Sequence, residues 1–284
     1  MPTAPLAGLR FSLVGPGRVG TSLAGWAVAA GAERVAAAGR AELGELASAG
    51  QDLLLIAVPD GALAEVAGRL AARPQAAVAL HTSGSRDAGV LAPLRSAGTS
   101  PGTLHPLKAF PRRMPEPEQA RGVFFAVDGE PAAQLLARRL VAAWGGVAGE
   151  VPPAARPIYH FAATLAAGGV ATLLAAAADL AARAGLPPAV GAGYLELARG
   201  TVAVAIEAIG DGDGAANALT GPVARGDLAT FEMHVEALRA VAPERVPLAL
   251  ELAREMLRQI AGRQRAGAGH RELMAWLAEI AGGS

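Results

Sequence analysis

The chain has 284 residues, of which 52% are hydrophobic and 18% charged, with 25 acidic and 25 basic side chains. This composition can bury a large core and excludes a disordered chain, and the balanced charge without a basic stripe argues against a nucleic-acid partner. The absence of cysteine excludes disulfides, thiolate metal sites and a cysteine nucleophile, and fits a reducing, cytoplasmic location. The first residues lack the basic start and cleavage site of a signal peptide.

The first half alternates short apolar segments with helical patterns. Strands are predicted at residues 9–15, 34–39, 52–60, 76–84, 102–107, 122–129 and 145–151. Helices are predicted at residues 18–30, 62–72 and 131–143. Because strands that alternate with helices pair in parallel, this half is predicted to be an α/β domain with a doubly wound parallel sheet.

A glycine-rich motif, "GPGRVG", follows the first strand and opens the first helix. In this context G-x-G-x-x-G is typical of a dinucleotide-binding loop. Gly15 permits the tight turn, Gly17 lets the backbone approach a pyrophosphate at the helix N-terminus, and Gly20 lets helix and strand pack closely. The alternative is a glycine-rich turn without a ligand. The predicted cofactor loop is Gly15, Pro16, Gly17, Arg18, Val19 and Gly20.

Arg40 follows the second strand, at the position where an acid would bind the ribose 2′-hydroxyl of NAD. A guanidinium instead suits a 2′-phosphate, which it contacts with two hydrogen bonds. The sequence therefore predicts NADP(H), with an ordinary surface arginine as the alternative.

Polar residues follow the third, fourth and fifth strands. Ligands of open parallel sheets bind at the carboxyl ends of strands, so these residues are candidates for cofactor or substrate contacts. Histidine is the usual proton donor at neutral pH, although a hydrogen-bonded loop histidine is an equal alternative. No spacing typical of a metal site or a serine hydrolase accompanies them, and no metal is expected. The candidates are Val58, Pro59, Asp60, His81, Thr82, Ser83, His105 and Lys108.

The segment "VPPAARP" separates the strand-and-helix pattern of the first half from the helical pattern of the second. Its three prolines predict a hinge. It divides the chain into a dinucleotide-binding domain, residues 1–152, and a helical domain, residues 153–284. Helices are predicted at residues 156–184, 188–209, 227–241, 243–264 and 268–281. Residues 161–178 are apolar enough for the lower limit of a transmembrane helix, but they are rich in Ala and Gly. A buried helix and no membrane contact are predicted instead.

Two polar patches stand out in the helical half. Tyr159 and His160 lie in the first turn of its first helix, in "YHFAATLAAGG". A second patch within "ALTGPVARGDLATFEMH" contains Thr220, Arg225 and Asp227, and Asp227 can cap the next helix. Thr230 and His234 are four residues apart and therefore share one helix face.

Together these motifs resemble a bacterial family with a Rossmann-like N-terminal domain and a helical C-terminal domain of unknown function. The motifs that carry the resemblance are "GPGRVG", "VPD", "HTSGS", "LHPLKAF", "YHFAA" and "LTGPVARGD..T...H". The architecture is more remotely similar to ketopantoate reductase, pyrroline-5-carboxylate reductase, deazaflavin-linked NADP oxidoreductases and 6-phosphogluconate dehydrogenase. The resemblance implies NADP(H) on the first domain, a substrate in the interdomain cleft and a homodimer formed by the helical domain.

We therefore expect a cytoplasmic NADP(H)-dependent oxidoreductase that passes a hydride to a small, anionic carbonyl or imine, with ketopantoate as one candidate. His160 or His105 would donate the proton, Arg225 would bind a substrate carboxylate, and Thr220, Ser83 and Lys108 would support it. The relatives' Lys or Asn on the first long helix is missing here, where Ala167, Gly168 and Gly169 stand. A non-catalytic NADP(H) sensor or partner-binding protein, and a deazaflavin-linked enzyme, are the alternatives.

Overall fold

The computed structural model describes residues 4–46, 50–72, 76–111, 116–212, 214–262 and 266–282. The chain divides into two compact units, Met1–Gly168 and Gly169–Ser284. The first unit therefore contains the sheet together with the beginning of the long helix that follows the prolines. The boundary predicted at residues 152 and 153 precedes this helix, whereas the division between the compact units falls inside it.

Seven strands of the described part of the first unit form one sheet, in the order β2-β1-β3-β4-β5-β6-β7. The strands are β1 (Arg10–Val14), β2 (Glu33–Ala38), β3 (Leu53–Ile56), β4 (Val78–His81), β5 (Ser100–Pro106), β6 (Phe124–Gly129) and β7 (Val147–Gly149). Each overlaps a strand predicted from the sequence. The predicted α/β class with a doubly wound, largely parallel sheet is confirmed.

Helices cover both faces of this sheet. They are α1 (Arg18–Ala29), α2 (Leu63–Leu70), α3 (Pro131–Ala143) and a 3₁₀ segment at Ala88–Ala97. All four residues of β3 are buried, and they alternate between two hydrophobic clusters. Leu53 and Leu55 pack in the cluster of α1 and α3, whereas Leu54 and Ile56 pack in the cluster of α2. This two-sided burial explains why the strand reads as a continuous apolar run.

The last two strands run in the opposite direction to the others. β6 pairs with β5 antiparallel, and β7 pairs with β6 in parallel. The chain between β5 and β6 contains a short 3₁₀ turn at Pro117–Ala120 among its described residues, and no crossover helix. Because a parallel return needs such a crossover, the chain comes back beside β5 in the opposite direction.

The helix predicted at residues 156–184 contains an irregular turn. α4 (Arg156–Thr164) and α5 (Val170–Arg183) are joined by a π-helical segment, Leu165–Gly169. Single π turns of this kind are frequent at functional sites. The two glycines at its end lower the helical preference of the segment, so a departure from regular α-helix is favoured there.

The second unit contains two differently buried groups of helices. Its helices are α5, α6 (Pro188–Gly210), α7 (Gly221–Arg225), α8 (Leu228–Val241), α9 (Val246–Ala261) and α10 (Ala268–Gly282). The last four enclose a small core that includes Phe231, Val235, Leu257 and Leu273. α5 packs against α6, but no residue of α6 is buried within the described chain.

The prediction that residues 161–178 form a buried helix is wrong for the chain alone. Two helical stretches, Pro153–Arg183 and Pro188–Gly210, are long and apolar enough to cross a membrane, and 6% and 0% of their most apolar windows are buried. Length and composition alone do not place a helix in a membrane. They do leave apolar side chains exposed, because the described residues bury no residue of α6 even though α5 packs against it.

Candidate active site at the carboxyl ends of the strands

The glycine-rich loop between β1 and α1 requires two of its glycines. Gly15 has a φ of +85°, and a Cβ placed on it would lie 2.5 Å from the carbonyl oxygen of Ala57. A Cβ on Gly20 would collide with the carbonyl oxygen of Gly15. The first turn of α1 lies so close to β1 that a side chain at Gly15 or Gly20 would collide with backbone atoms. The pattern therefore requires glycine at both positions for steric reasons.

The third glycine has no such steric need. Gly17 precedes α1 with an ordinary φ of −76°, and no atom lies within 4 Å of the place where its Cβ would be. No side chain caps the helix at this end, and its first turn contains no acid. Pro16 and Arg18 are exposed and Val19 is half-buried. The loop therefore presents an open helix N-terminus, which fits a phosphate group.

Arg40 lies at the same edge of the sheet as this loop. The Gly15 N–H donates to the carbonyl oxygen of Ala38 at 2.9 Å, which fixes the loop beside the end of β2. Arg40 follows two residues later and is exposed. Among the described residues only its carbonyl oxygen is bonded, to Arg69. Its guanidinium is therefore available to a ligand beside the loop.

A hydrogen bond from a serine hydroxyl connects the loop after β4 to the loop after β3. Ser85 donates its hydroxyl to Asp60, and the Ser83 hydroxyl accepts the Arg86 N–H at 3.1 Å. Ser83 is buried, whereas Thr82 is half-buried. Of the preceding "VPD" residues, Val58 is buried and Pro59 is exposed. The predicted cofactor contacts of these loops remain predictions, but the side chain of Ser83 is engaged in holding its own loop.

His81 is 0% exposed, and both of its ring nitrogens have partners within the protein. Its Nδ1 accepts the Ser83 N–H at 3.2 Å, which leaves Nε2 protonated to donate to the carbonyl oxygen of Asp87 at 2.9 Å. Burial lowers the pKa of His81 to about 4, so the ring is neutral at pH 7. We therefore give His81 a structural role in the loop rather than a direct contact with a ligand.

His105 and Lys108, from the end of β5, line a cavity of about 820 Å³ together with α4 and the π-helical segment. The same cavity is lined by Tyr159, His160 and Gly168. Its other lining residues are Pro106, Leu107, Ala109, Ala162, Ala163, Thr164, Ala166 and Ala167. The cavity is thus mostly apolar with a small number of polar groups, as is usual for small-molecule sites.

His105 and Tyr159 form a direct polar contact in this cavity. The His105 Nδ1 and the Tyr159 hydroxyl oxygen are 2.8 Å apart, and the two rings meet edge to face. The ring of His160 lies 5.8 Å from that of His105, and its Nδ1 is buried without a hydrogen-bond partner among the described residues. A Cβ on Gly84 would lie 2.5 Å from the His160 Nδ1 and 2.7 Å from the His105 Nε2, so both nitrogens face this glycine.

Burial shifts both members of the His105–Tyr159 pair toward their neutral forms. Desolvation, followed by the charges of His160 and Arg156, lowers the pKa of His105 to about 4. Desolvation also raises the pKa of Tyr159 to about 12, against the opposing charge of Arg156. Perturbed groups in a cavity are typical of functional sites.

Arg156 anchors the start of α4 to the sheet. It is 1% exposed; its Nη2 donates to the Thr103 hydroxyl at 2.8 Å and its Nη1 to the Arg86 carbonyl oxygen at 3.1 Å. The Asp128 carboxylate lies 3.7 Å from Nη2. Sequence reasoning missed Arg156, Gly84 and the role of Tyr159, although "HTSG" and "YHFAA" were both noticed as motifs.

The polar patch of the second unit forms two helix caps. Thr220 precedes α7 and Gly226 ends it with a φ of +69°. Asp227 then caps α8 by accepting the Thr230 N–H at 3.1 Å and its hydroxyl at 2.7 Å, which confirms the predicted cap. The side chains of Thr220, Arg225 and His234 are exposed. The predicted roles of Thr220 and Arg225 toward a substrate remain predictions.

Another cavity, of about 360 Å³, lies near the C-terminal ends of α1 and α3 and is lined by Trp26, Arg121 and Trp144. It contains none of the predicted site residues. We therefore place the candidate site at the larger cavity, which contains His105, Lys108 and His160.

Comparisons with known proteins agree with this architecture. Residues 29–106 match the family model of a Rossmann-like domain, and residues 123–260 match the model described as Domain of unknown function (DUF2520). No curated protein sequence gives a match.

Solved structures share the fold at low identity. Protein BF3122 from Bacteroides fragilis, to which an NADP oxidoreductase activity is ascribed, is 19% identical with a TM-score of 0.73, covering 89% of this chain and 98% of that one. Protein TM1727 from Thermotoga maritima is 19% identical with a TM-score of 0.66, covering 90% and 100%. Plasmodium falciparum pyrroline carboxylate reductase with NADP bound is 14% identical with a TM-score of 0.56, covering 88% and 98%. The chain thus combines a Rossmann-like domain with a DUF2520 domain, and this confirms the resemblance predicted from its motifs.

Proposed function

We propose that this chain is an NADP(H)-dependent reductase that acts on a small carbonyl or imine in the cavity lined by His105, Tyr159 and His160. The observation that carries the proposal is that an open glycine loop and a cavity lined by the half-buried His105–Tyr159 pair lie at the same edge of one sheet. Two strands, β3 and β4, separate β1 from β5, so the two features are about 14 Å apart by strand spacing. An extended dinucleotide can reach from one to the other.

The residues of the loop fit a dinucleotide. Gly17 leaves open space above the uncapped first turn of α1, where N–H groups and the helix dipole favour a pyrophosphate. Arg40 would bind a 2′-phosphate with its guanidinium, which has no partner among the described residues. NADPH, when bound, would supply the hydride, and the chain's own residues would bind the substrate and provide a proton.

The cavity supplies what such a substrate needs. Its wall is rich in alanines, and Lys108 gives it a positive charge that suits an anionic group such as the carboxylate of a 2-oxo acid. Tyr159, His105, His160 and Lys108 line it and can each hold a transferable proton, and the rings of Tyr159 and His160 lie close to that of His105. Structural neighbours named as NADP-linked oxidoreductases and imine reductases, for example the imine reductase from Pseudomonas sp. at 18% identity, support the same class.

Gly17→Ala tests the cofactor part without disturbing the fold. The new methyl group meets no atom of the protein, but it occupies the space through which a pyrophosphate would approach the backbone. We expect NADPH binding, measured by fluorescence titration, to weaken by about tenfold or more, or ~1.4 kcal/mol. Gly68→Ala in α2, which also meets no atom, is the matched control. Equal affinity in both variants would overturn the proposed loop site.

Turnover is tested separately, with a panel of 2-oxo acids including ketopantoate, aldehydes and cyclic imines. Oxidation of NADPH with at least one of them is the expected result. Tight NADPH binding without oxidation across the panel would instead favour a non-catalytic sensor.

We also propose that two copies of the chain associate through α5 and α6. Both helices expose large apolar side chains, including Leu197, Val204, Ile206 and Ile209 on α6. Exposed apolar side chains that share one element are typical of an interaction surface. The same helix also carries the charged residues Glu196, Arg199 and Glu207. A second copy, which offers the same apolar face, is the occupant that matches it.

A further inference from the structure

We propose that the Tyr159 hydroxyl, held by His105, donates the proton to the substrate oxygen, and that the site therefore reduces carbonyls rather than imines. This inference rests on the proposed function and assigns roles within the same cavity. It assigns the direct proton donation to Tyr159, which lines the same cavity as the two histidines expected from the sequence.

Two residues, Phe124 and His105, hold Tyr159 in position. Its ring contacts Phe124 at 6.5 Å and His105 at 5.5 Å between ring centres, both edge to face. Its hydroxyl oxygen is held 2.8 Å from the His105 Nδ1, while the residue lines the cavity. The ring sits in the first turn of α4, whose start is anchored by Arg156. A hydroxyl group fixed in this way can meet a substrate oxygen without a rotamer search.

The charge state of the pair favours the tyrosine as the donor. The groups that act on His105 are His160, Arg156 and His81, which oppose a positive charge, and Asp60, which favours it. With a pKa of about 4, about one His105 ring in a thousand carries the second proton at pH 7. The Tyr159 hydroxyl, with a pKa of about 12, keeps its proton at any pH near neutrality. The available proton is therefore the phenolic one.

The basicity of the product then selects the substrate class. When a hydride from NADPH adds to a carbonyl carbon, the carbon–oxygen π pair moves to oxygen and forms an alkoxide, which is far more basic than a phenolate. Proton transfer from Tyr159 to that oxygen is thus downhill. An imine nitrogen must be protonated before it accepts a hydride, and it is much less basic than a phenolate. A phenol of raised pKa is a poor acid for that step.

His105 restores the tyrosine proton. Its Nδ1–H passes to the phenolate oxygen as its Nε2 takes a proton from water, so the ring changes tautomer and stays neutral overall. The Nε2 faces Gly84 together with the buried Nδ1 of His160, which has no partner in the part of the chain that the structure describes. A water molecule between these two nitrogens would satisfy both of them and complete the path. One solvent proton and one hydride are consumed for each carbonyl reduced to an alcohol.

The test compares Tyr159→Phe with Tyr194→Phe, which changes the other tyrosine of the chain, on α6. We expect Tyr159→Phe to bind NADPH as the wild type does but to lower kcat with a 2-oxo acid or aldehyde by about 100-fold. Tyr194→Phe should leave kcat unchanged. The wild-type kcat should be constant from about pH 6 to about pH 9, since neither member of the pair titrates there, and cyclic imines should be reduced much more slowly than carbonyls.

Each other outcome has a definite meaning. A Tyr159→Phe enzyme within threefold of wild type, a preference for imines, or a kcat that falls through neutral pH would overturn the donor assignment alone. No NADPH oxidation with any substrate would overturn the proposed function and this assignment with it. Independently of activity, ¹⁵N NMR of histidine-labelled protein should show His105 neutral from about pH 5.5 upward, with ring shifts that change in Tyr159→Phe. A His105 that titrates near its ordinary pKa would also refute the inference.

Discussion

Removing the charge of Asp128 should destabilise the first unit more than removing Arg156 itself. Arg156 is 1% exposed, and Asp128, at 3.7 Å, is its carboxylate partner. Asp128→Asn would leave the buried guanidinium with only the weaker effect of Asp87 to compensate its charge. Such a loss costs 3–5 kcal/mol when both partners are buried, and because Asp128 is partly solvated we expect the low end, about 3 kcal/mol.

Arg156→Met removes the buried charge along with its desolvation penalty. Its cost comes from the Thr103 hydroxyl and the Arg86 carbonyl oxygen, which lose their donor, and we expect about 2 kcal/mol. The double variant should cost about as much as Arg156→Met alone, because Asp128 then has no buried charge to compensate. The exposed pair of Arg138 and Glu150, only 2.8 Å apart, is the control, and Arg138→Met should cost less than about 1 kcal/mol.

The free energies come from urea unfolding followed by tryptophan fluorescence. Because the chain has two compact units, the signal must report on the first one, and Trp26 and Trp144 lie there. A Trp276→Phe background removes the third tryptophan. The reasoning that burial matters more than the ion-pair distance would be refuted if Asp128→Asn lowered the free energy of unfolding as little as Arg138→Met does. It would also be refuted if the loss in the double variant equalled the sum of the losses in Asp128→Asn and Arg156→Met.

Three further predictions follow from the described contacts. The folded His81 has a pKa of about 4 against an ordinary 6.5, so its contribution to stability is complete above pH 6.5. Up to about 3 kcal/mol of the free energy of unfolding should be lost as the pH falls to 4. Urea unfolding of His81→Asn should show a smaller loss over the same pH range. Arg40→Ala should weaken NADPH binding by about tenfold and leave NADH binding unchanged, whereas Arg34→Ala, on the exposed part of β2, should change neither; an equal loss for both cofactors would exclude a 2′-phosphate contact. Light scattering should give a dimer mass for the wild type and a monomer mass for Ile206→Glu, and a monomeric wild type would contradict the proposed association.

The central strands were predictable because almost all of their residues are buried. β3 is covered on both faces, so its residues are all apolar. The direction of β6 was not predictable from its own residues, because a strand's side chains do not record which way it pairs. The signal lay in the connection, where Pro111, Pro115 and Pro117 leave no room for a crossover helix.

The two histidines at strand ends show where the sequence stops being informative. His81 and His105 each stand at the end of a strand, followed by loop residues. One is buried and bonded at both ring nitrogens, whereas the other lines a cavity and contacts Tyr159. The two histidines have different surroundings because the loops that follow their strands take different paths. These paths depend on Ser83, Asp87 and other partners that no local pattern reveals.

Arg156 connects the stability of the first unit to the chemistry proposed for its cavity. Its guanidinium attaches α4 to β5, and this places Tyr159 beside His105. The same charge opposes protonation of His105, in addition to the larger effect of burial, and so helps to keep the ring neutral. A lysine here lacks the planar, forked guanidinium that bonds two acceptors at once. An apolar residue would supply neither these hydrogen bonds nor the positive charge that opposes protonation of His105. The buried cation thus costs desolvation energy but fixes both the position and the charge state of the pair on which proton donation depends.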